Sequence, residues 1–278
     1  MNLSWFQSIA YGFLSGLTDI LPVSAQAHKV LLLKFFGEKG NVQLLDFLIH
    51  LGIFAALYSS CQTQLIRMSR ARALARIPKK KRKRPLDTRS LMDLSLLKTM
   101  LVPVILALLL SGYVQQWQTN LMVISGLLFL NGIILYVPQF LPSGNRDSRT
   151  MSRVEGFLMG LGSGASVLPG ISAMGACTSV ASVCGVDRQY GLNMALLANL
   201  FLTLGKLVLD AVELVGSGIG TFSFGILIRY VFTAACAFAA AALGIRLLRH
   251  LAQEKGYSLF GLYCLGVALF TFVLNLMA

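Results

Sequence analysis

Two short stretches of this 278-residue chain set a proline and a serine in apolar surroundings, the first of them among ionisable residues. In the first, Asp19 precedes Pro22, and Ser24, His28 and Lys29 follow it; in the second, Pro169-Gly170 leads into Ser172 and Gly175. Proline removes a helical hydrogen bond and disfavours helix in the residue before it, so each stretch is a break after which a half-helix restarts. The first N–H groups of a restarted helix have no partner within it, and the helix dipole adds positive partial charge there. Two such ends facing each other would favour an anion, either a phosphate or a carboxylate. Ser24 and Ser172 sit in these first turns, where a hydroxyl can cap the helix or bond a phosphate oxygen; for either serine alone, capping is the default. Ser24 and His28 are four apart and share one face of the restarted helix. Asp19 could hold a cation or pair with Lys29. Asp46 and His50, again four apart, could complete a polar pocket with His28 and Asp19, or bond only each other. Lys206, Asp210 and Glu213 have helical spacing and read first as a salt-bridge cluster that neutralises Lys206, second as part of a substrate path.

The elements that must position these residues are membrane helices. Hydrophobic residues make up 56% of the chain, charged residues 13%, and the mean hydropathy is +0.72. A soluble chain carries about a quarter charged residues, so this one cannot clothe a water-facing surface. Residues 99–145 and 256–278 contain no Asp, Glu, Lys or Arg, and a bilayer span needs about 20 mostly apolar residues. Six segments read as spans: 44–61, 96–114, 120–141, 190–214, 222–249 and 257–277. Residues 8–36 and 155–186 are the two stretches cut by proline. Non-helical backbone at membrane depth is tolerated only where it lines a protein cavity, so both read as re-entrant hairpins, with a single kinked span as the alternative for each. A histidine in such a segment is a functional candidate. The N-terminus lacks a Lys/Arg n-region and a small-residue cleavage site, and reads as mature chain rather than a signal peptide. The five cysteines read as small core residues rather than disulfides or ligands.

Charge and repetition give the topology. Of 24 Lys and Arg residues, twelve lie between Arg67 and Lys98, around the run from Lys79 to Arg84. With 62–98 taken as a cytoplasmic loop, six spans and two hairpins bring seven more basic residues inside, so nineteen of the 24 lie on that side. No base-reading aromatic or polar residues interleave the run, so a membrane surface is the expected partner and nucleic acid is not. Gly12 to Leu17 (GFLSGL) matches Gly156 to Leu161 (GFLMGL) at five of six positions, and Pro22-Val-Ser24-Ala25 echoes Pro169-Gly-Ile-Ser172-Ala173. Paired interrupted segments of opposite orientation point to an inverted repeat with a binding site near the midplane. The expectation is an all-α polytopic membrane protein with six transmembrane spans, two re-entrant helical hairpins and an inverted-topology repeat. It forms a single integral domain over 1–278, with halves at about 1–141 and 155–278.

The residues from Gly16 to His28 (GLTDILPVSAQAH) resemble the E-G-L-T-E-F-L-P-[IV]-S-S-x-G-H signature of bacterial undecaprenyl pyrophosphate phosphatases, the bacitracin-resistance family. Asp46 to Gly52 (DFLIHLG) is similar to that family's E-V-V-I-Q-L-G, and Leu168 to Gly175 (LPGISAMG) is similar to its P-G-x-S-R-S-G. Order and spacing agree along nearly the whole chain. The resemblance implies a phosphatase that removes one phosphate from the undecaprenyl pyrophosphate carrier of cell-wall synthesis, at the outer side of the bacterial cytoplasmic membrane. It implies catalytic roles for His28, Ser24 and Asp19, with Asp19 as ligand to a divalent cation, Mg or Ca. Substrate-binding roles fall to Ser172, Gly170, Gly175, His50 and Asp46. The expected partners are a polyprenyl phosphate or pyrophosphate lipid, the membrane, and a second copy of the chain as a homodimer.

Several family positions are altered. The first acid falls on Ser15, the second serine on Ala25, the glycine before the histidine on Ala27, the arginine on Ala173 and the serine after it on Met174. A transition-state arginine is worth about 10³–10⁵ in rate in phosphoryl transfer, and a methyl group cannot replace a planar bidentate clamp. Lys29 offers a point charge, though on an ideal helix it faces away from the partners of His28. Two functions stand: a lipid pyrophosphate phosphatase with an altered site, and a catalytically inactive relative that binds or translocates polyprenyl phosphate. A solute transporter sharing only the scaffold is a distant third.

Overall fold

The computed structural model describes residues 3–38, 43–82, 84–216, 224–252 and 257–277. Lys39, Lys83, Lys255 and most of the expected outer loop 215–221 lie outside the described residues. The chain is helical: α1 (Trp5–Ile20), α2 (Ala25–Phe35), α3 (Gln43–Ala75), α4 (Thr88–Leu109), α5 (Leu121–Tyr136), α6 (Arg153–Gly164), α7 (Ala173–Val183), α8 (Arg188–Gly216), α9 (Phe224–Leu251) and α10 (Tyr257–Leu276). Six of these, α3, α4, α5 (with the 3-10 turn Val137–Phe140 that extends it), α8, α9 and α10, are long and apolar enough to cross a membrane, and they fall on the six expected spans. The other four are short, at 16, 11, 12 and 11 residues. They form two helix–break–helix units at the two prolines, as hairpins require. Three spans separate the units, an odd number of crossings, which is consistent with re-entrant hairpins entering from opposite sides.

The expected loop 62–98 is mostly helix. α3 continues to Ala75 and α4 begins at Thr88, because Gln, Arg, Met, Ala and Leu are good helix formers whether or not lipid surrounds them. At 1.5 Å per residue, the 33 residues of α3 span about 50 Å, well beyond a hydrocarbon core of about 30 Å. Asp46 and His50 lie near one end of this helix, and Arg67, Arg70, Arg72 and Arg76 at or just past the other.

The internal repeat is visible in packing as well as in sequence. Both hairpins open on a capping box, Ser4 with Gln7 and Ser152 with Glu155, which satisfies two otherwise free N–H groups at each start. Gly12 and Gly16 of α1 lie against Thr233 and Ala237 of α9; Gly156 and Gly160 of α6 lie against Leu96 and Met100 of α4. In both halves, then, glycines four apart let the hairpin's first helix press on a span at residues four apart. Close approach through small residues is how helices associate where lipid removes the hydrophobic drive. A third contact is shared between the halves: a Cβ on Gly132 of α5 or Gly261 of α10 would stand 3.0 or 2.9 Å from the other's carbonyl oxygen.

A Cβ at Gly16 or Gly160 would lie 2.2 Å from the carbonyl oxygen of Ala237 or Met100. Those oxygens belong to backbone and cannot swing aside. Gly16→Ala and Gly160→Ala are each expected to destabilise the fold by about 1–3 kcal/mol, the usual range for overpacking. Thermal unfolding in detergent micelles reads this, and an unchanged midpoint for both would contradict the helix contacts.

Candidate functional site

The two breaks meet and hold each other. Ser24 has a φ of +64°, the one positive value outside glycine among the described residues. Its hydroxyl makes no cap to α2; Oγ instead accepts the Gly170 N–H at 3.1 Å. Ser172 does cap its helix, accepting the Gly175 N–H at 3.2 Å, and it donates to the Leu21 carbonyl at 3.4 Å. Each break thus lends a serine to the backbone of the other. Asn131 of α5, fully buried, ties the pair together. Its Oδ1 accepts the Ser172 N–H at 2.9 Å, and its Nδ2 donates to the Pro22 carbonyl at 3.2 Å and lies 3.3 Å from Cys264 Sγ. Gly170 has a φ of +125°, and a Cβ there would stand 2.6 Å from that of Leu127, so only glycine fits.

Beside this latch lies a cavity of about 170 Å³, roomy enough for several waters. The first turns of both restarted helices border it through Ala25, Gln26 and Ala173, and Asp19, Lys29, His50, Ser172 and Lys206 complete its polar wall. Gln118, after the 3-10 turn Ser111–Trp117, pins the α4–α5 connection over it. Its side chain donates to the Val167 carbonyl at 2.9 Å, and its own carbonyl accepts from Gln26 at 3.4 Å. The cavity sits at the end of α3 that carries His50, far from the basic end.

Its charges are paired across elements. Lys206 Nζ of α8 donates to Asp19 Oδ1 of α1 at 3.1 Å. Lys29 Nζ of α2 donates to Asp46 Oδ1 of α3 at 3.0 Å, and Tyr11 Oη donates to the same oxygen at 2.9 Å. His50 Nδ1 lies 2.5 Å from Asp210 Oδ2, and its Nε2 lies 3.4 Å from Lys29 Nζ. Asp46 and His50 therefore do not bond each other. Lys206, Asp210 and Glu213 do not form the expected intrahelical cluster either: Lys206 turns to Asp19, Asp210 to His50, and Glu213 accepts from Gln43 at 2.6 Å. Each group found its partner on another helix instead: a carboxylate for Lys206, an imidazole for Asp210 and an amide for Glu213.

The sequence-selected residues divide into three places. Asp19, His50 and Ser172 line the cavity, with Asp46 one bond behind Lys29. Ser24, Gly170 and Gly175 form the latch beneath. His28 lies elsewhere: its Nδ1 is 2.8 Å from the Ser24 carbonyl, its Nε2 is 2.8 Å from Tyr263 Oη, and the two rings stack with centroids 5.7 Å apart. The Ser24 carbonyl can only accept, so Nδ1 carries the proton in the neutral ring and Nε2 accepts from Tyr263. It is Lys29, facing away from His28's partners as its helix position implies, that enters the cavity. Lys206, read from spacing only second as part of a substrate path, lines the cavity, and sequence reasoning missed Asn131 and Tyr263 altogether. Asn131 did carry a signal, as a side-chain amide inside the 99–145 run that holds no charge.

A divalent cation finds few ligands here. Asp19 Oδ1 is taken by Lys206, which leaves Oδ2 buried and without a partner. Among the described residues no group of three or more His, Cys, Asp or Glu side chains is placed to hold a metal. Mg²⁺ and Ca²⁺ want six or more oxygens and repel ammonium groups, so one carboxylate oxygen flanked by Lys206, His50 and Lys29 does not fit such an ion.

A family model described as "Bacitracin resistance protein BacA" matches residues 8–270 of the chain. Among curated relatives, the chain is 27% identical over 272 residues to an "Undecaprenyl-diphosphatase" of Methanobrevibacter smithii, covering 96% of each chain. It is 23% identical to one from Desulforapulum autotrophicum, covering 98% of this chain and 99% of the relative. It is 24% identical to "Undecaprenyl-diphosphatase 1" of Shouchella clausii, covering 98% and 96%.

Proposed function

Because the chain belongs to the bacitracin resistance protein BacA family, we propose that it acts on a polyprenyl pyrophosphate or phosphate carrier lipid from within a bacterial cytoplasmic membrane. One observation carries this reading. Two half-helix N-termini and two lysines border a single cavity, at the end of α3 opposite its basic residues. Such an arrangement suits the phosphate end of a lipid whose chain stays among the helices. By the positive-inside rule the cavity faces the outer side.

Hydrolysis of the pyrophosphate to the monophosphate is the activity for which the relatives are named. In this chain Asp19, Ser24 and His28 are the residues such a reaction would use, as proton partner, nucleophile and proton carrier. Binding without turnover is the second reading, and three contacts favour it. Ser24 Oγ is committed to Gly170, His28 to Tyr263, and Asp19 Oδ1 to Lys206. A nucleophile and its base must be within hydrogen-bond reach of each other and of the reacting group, and His28 contacts Ser24 only through its carbonyl.

Both readings require that the lipid bind. Purified protein in nanodiscs is expected to bind undecaprenyl phosphate and undecaprenyl pyrophosphate, read by native mass spectrometry against a phosphatidylglycerol control. Phosphate release from the pyrophosphate, with Mg²⁺, Ca²⁺ or EDTA, then separates enzyme from binder. Binding no tighter than the control for both lipids would reject the substrate class.

A further inference from the structure

Lys29 and Lys206 approach the cavity from different helices, and each holds one carboxylate. A buried ammonium is expensive unless paired, and ionisable groups inside membrane segments are retained for function by default. An ammonium has three donors. Lys206 spends one on Asp19, and Lys29 has Asp46 and the edge of the His50 ring. Each lysine therefore keeps donor capacity at the cavity.

The position of Lys206 is informative. Ala173, which stands where the family motif has arginine, lies in a small apolar cluster with Val104 and Leu202. Lys206 is one helical turn beyond Leu202 on α8, so its ammonium enters from the wall beside that alanine. On the same carboxylate that pairs with Lys206, Asp19 Oδ2 is buried with no partner. A phosphate carrying one proton answers both groups when it draws Lys206 from Asp19: its unprotonated oxygens accept from the ammonium groups while its P–O–H donates to the Asp19 carboxylate.

We propose that Lys206 and Lys29 form a two-ammonium clamp for the phosphate of a polyprenyl phosphate, supplying from this chain the charge that a divalent cation and the motif arginine would otherwise bring. The clamp rests on the carrier lipid being the ligand. Asp19 serves it twice, as the resting counter-ion of Lys206 and as acceptor for the protonated phosphate oxygen. Asp46, Asp210 and His50 hold Lys29 and keep the empty cavity close to neutral.

The test is undecaprenyl phosphate binding in nanodiscs, with and without EDTA, for wild type and four variants. Lys206→Gln and Lys29→Gln are each expected to weaken binding about 10–100-fold, the worth of one charge-assisted hydrogen bond. Lys206→Arg is expected to keep most of it, and EDTA to leave wild-type binding unchanged. Lys206→Gln leaves Asp19 buried and unpaired, so the Lys206→Gln/Asp19→Asn double variant removes the ion pair whole and keeps the fold testable. Wild-type binding that survives in a folded Lys206→Gln or double variant would overturn the clamp while leaving the lipid assignment intact. Wild-type binding lost in EDTA would overturn its independence of metal. No binding by wild type under any condition would instead remove the lipid reading on which the clamp rests.

Discussion

Phosphate release from undecaprenyl pyrophosphate by the wild-type chain is expected to run about 10³–10⁵-fold below that of a relative with the motif arginine, the range such a residue contributes elsewhere. The physical reason is geometric. A guanidinium offers two parallel donors to the equatorial oxygens of a phosphoryl group in flight, whereas lysine is a point charge on a flexible stem. A phosphate held by Lys29 and Lys206, as proposed, would be bound better in its ground state than in its transition state, and only the latter accelerates the reaction. Restoring Ala173→Arg, Ser15→Glu and Asp19→Glu together is expected to raise the rate. The three must change as a set, since groups that act as a unit give non-additive effects. An arginine alone would enter beside Lys206 with no new carboxylate and disturb the apolar contacts of Val104 and Leu202. Ser15 is buried with an unpartnered hydroxyl. Robust wild-type hydrolysis abolished by His28→Ala would defeat this expectation and mark a working enzyme with a rearranged site.

Asn131→Leu is expected to be the most damaging single change in the chain's interior. It removes no charge and keeps the branched shape, yet it strands the Ser172 N–H and leaves the Pro22 carbonyl only the weak Cys264 thiol donor at 3.7 Å, both at breaks that have no helical alternative. An unsatisfied buried group costs about 1–3 kcal/mol, so the pair amounts to about 2–6 kcal/mol. That is a large share of the 5–15 kcal/mol by which folded proteins are typically stable. Ser125→Ala is the control, because its hydroxyl bonds only to the Met122 carbonyl of the same helix at 2.8 Å. Folded yield and melting temperature in detergent should fall sharply for the first and stay near wild type for the second. Equal behaviour of the two variants would show that the breaks are not held by Asn131.

The helical scaffold was legible because lipid leaves a chain few options. Runs without charge can only be spans, and prolines at residues 22 and 169 can only be breaks. The repeat was legible too, and its glycines proved to be contacts at equivalent places, Gly12 and Gly16 on α9 and Gly156 and Gly160 on α4. Charge pairing was not. Helical spacing suggested Lys206 with Asp210 and Asp46 with His50, but the partners came from other helices: Asp19, His50, Lys29 and Asp210 respectively. Spacing reports who shares a face, whereas pairing depends on which faces meet, and packing set that across separations of 17, 160 and 187 residues. The two serines make the same point. Similar sequence put Ser24 and Ser172 at like positions, yet only Ser172 caps, because Ser24 adopts a positive φ that commits its hydroxyl to the opposite break.

The mutual latch has a consequence for how the protein is made. Ser24 and Gly170 are separated by 146 residues, and ribosomes add about 5–20 residues per second. The first break therefore waits about 7–30 seconds in the insertion machinery before its partner exists. During that interval the Pro22 carbonyl and the Ser24 hydroxyl lack the Asn131 and Gly170 partners they have in the finished protein, and lipid offers no substitute. The nascent first half must be kept at a watery or protein-lined place until the second half arrives, so the two halves complete each other at birth and neither is a finished unit alone.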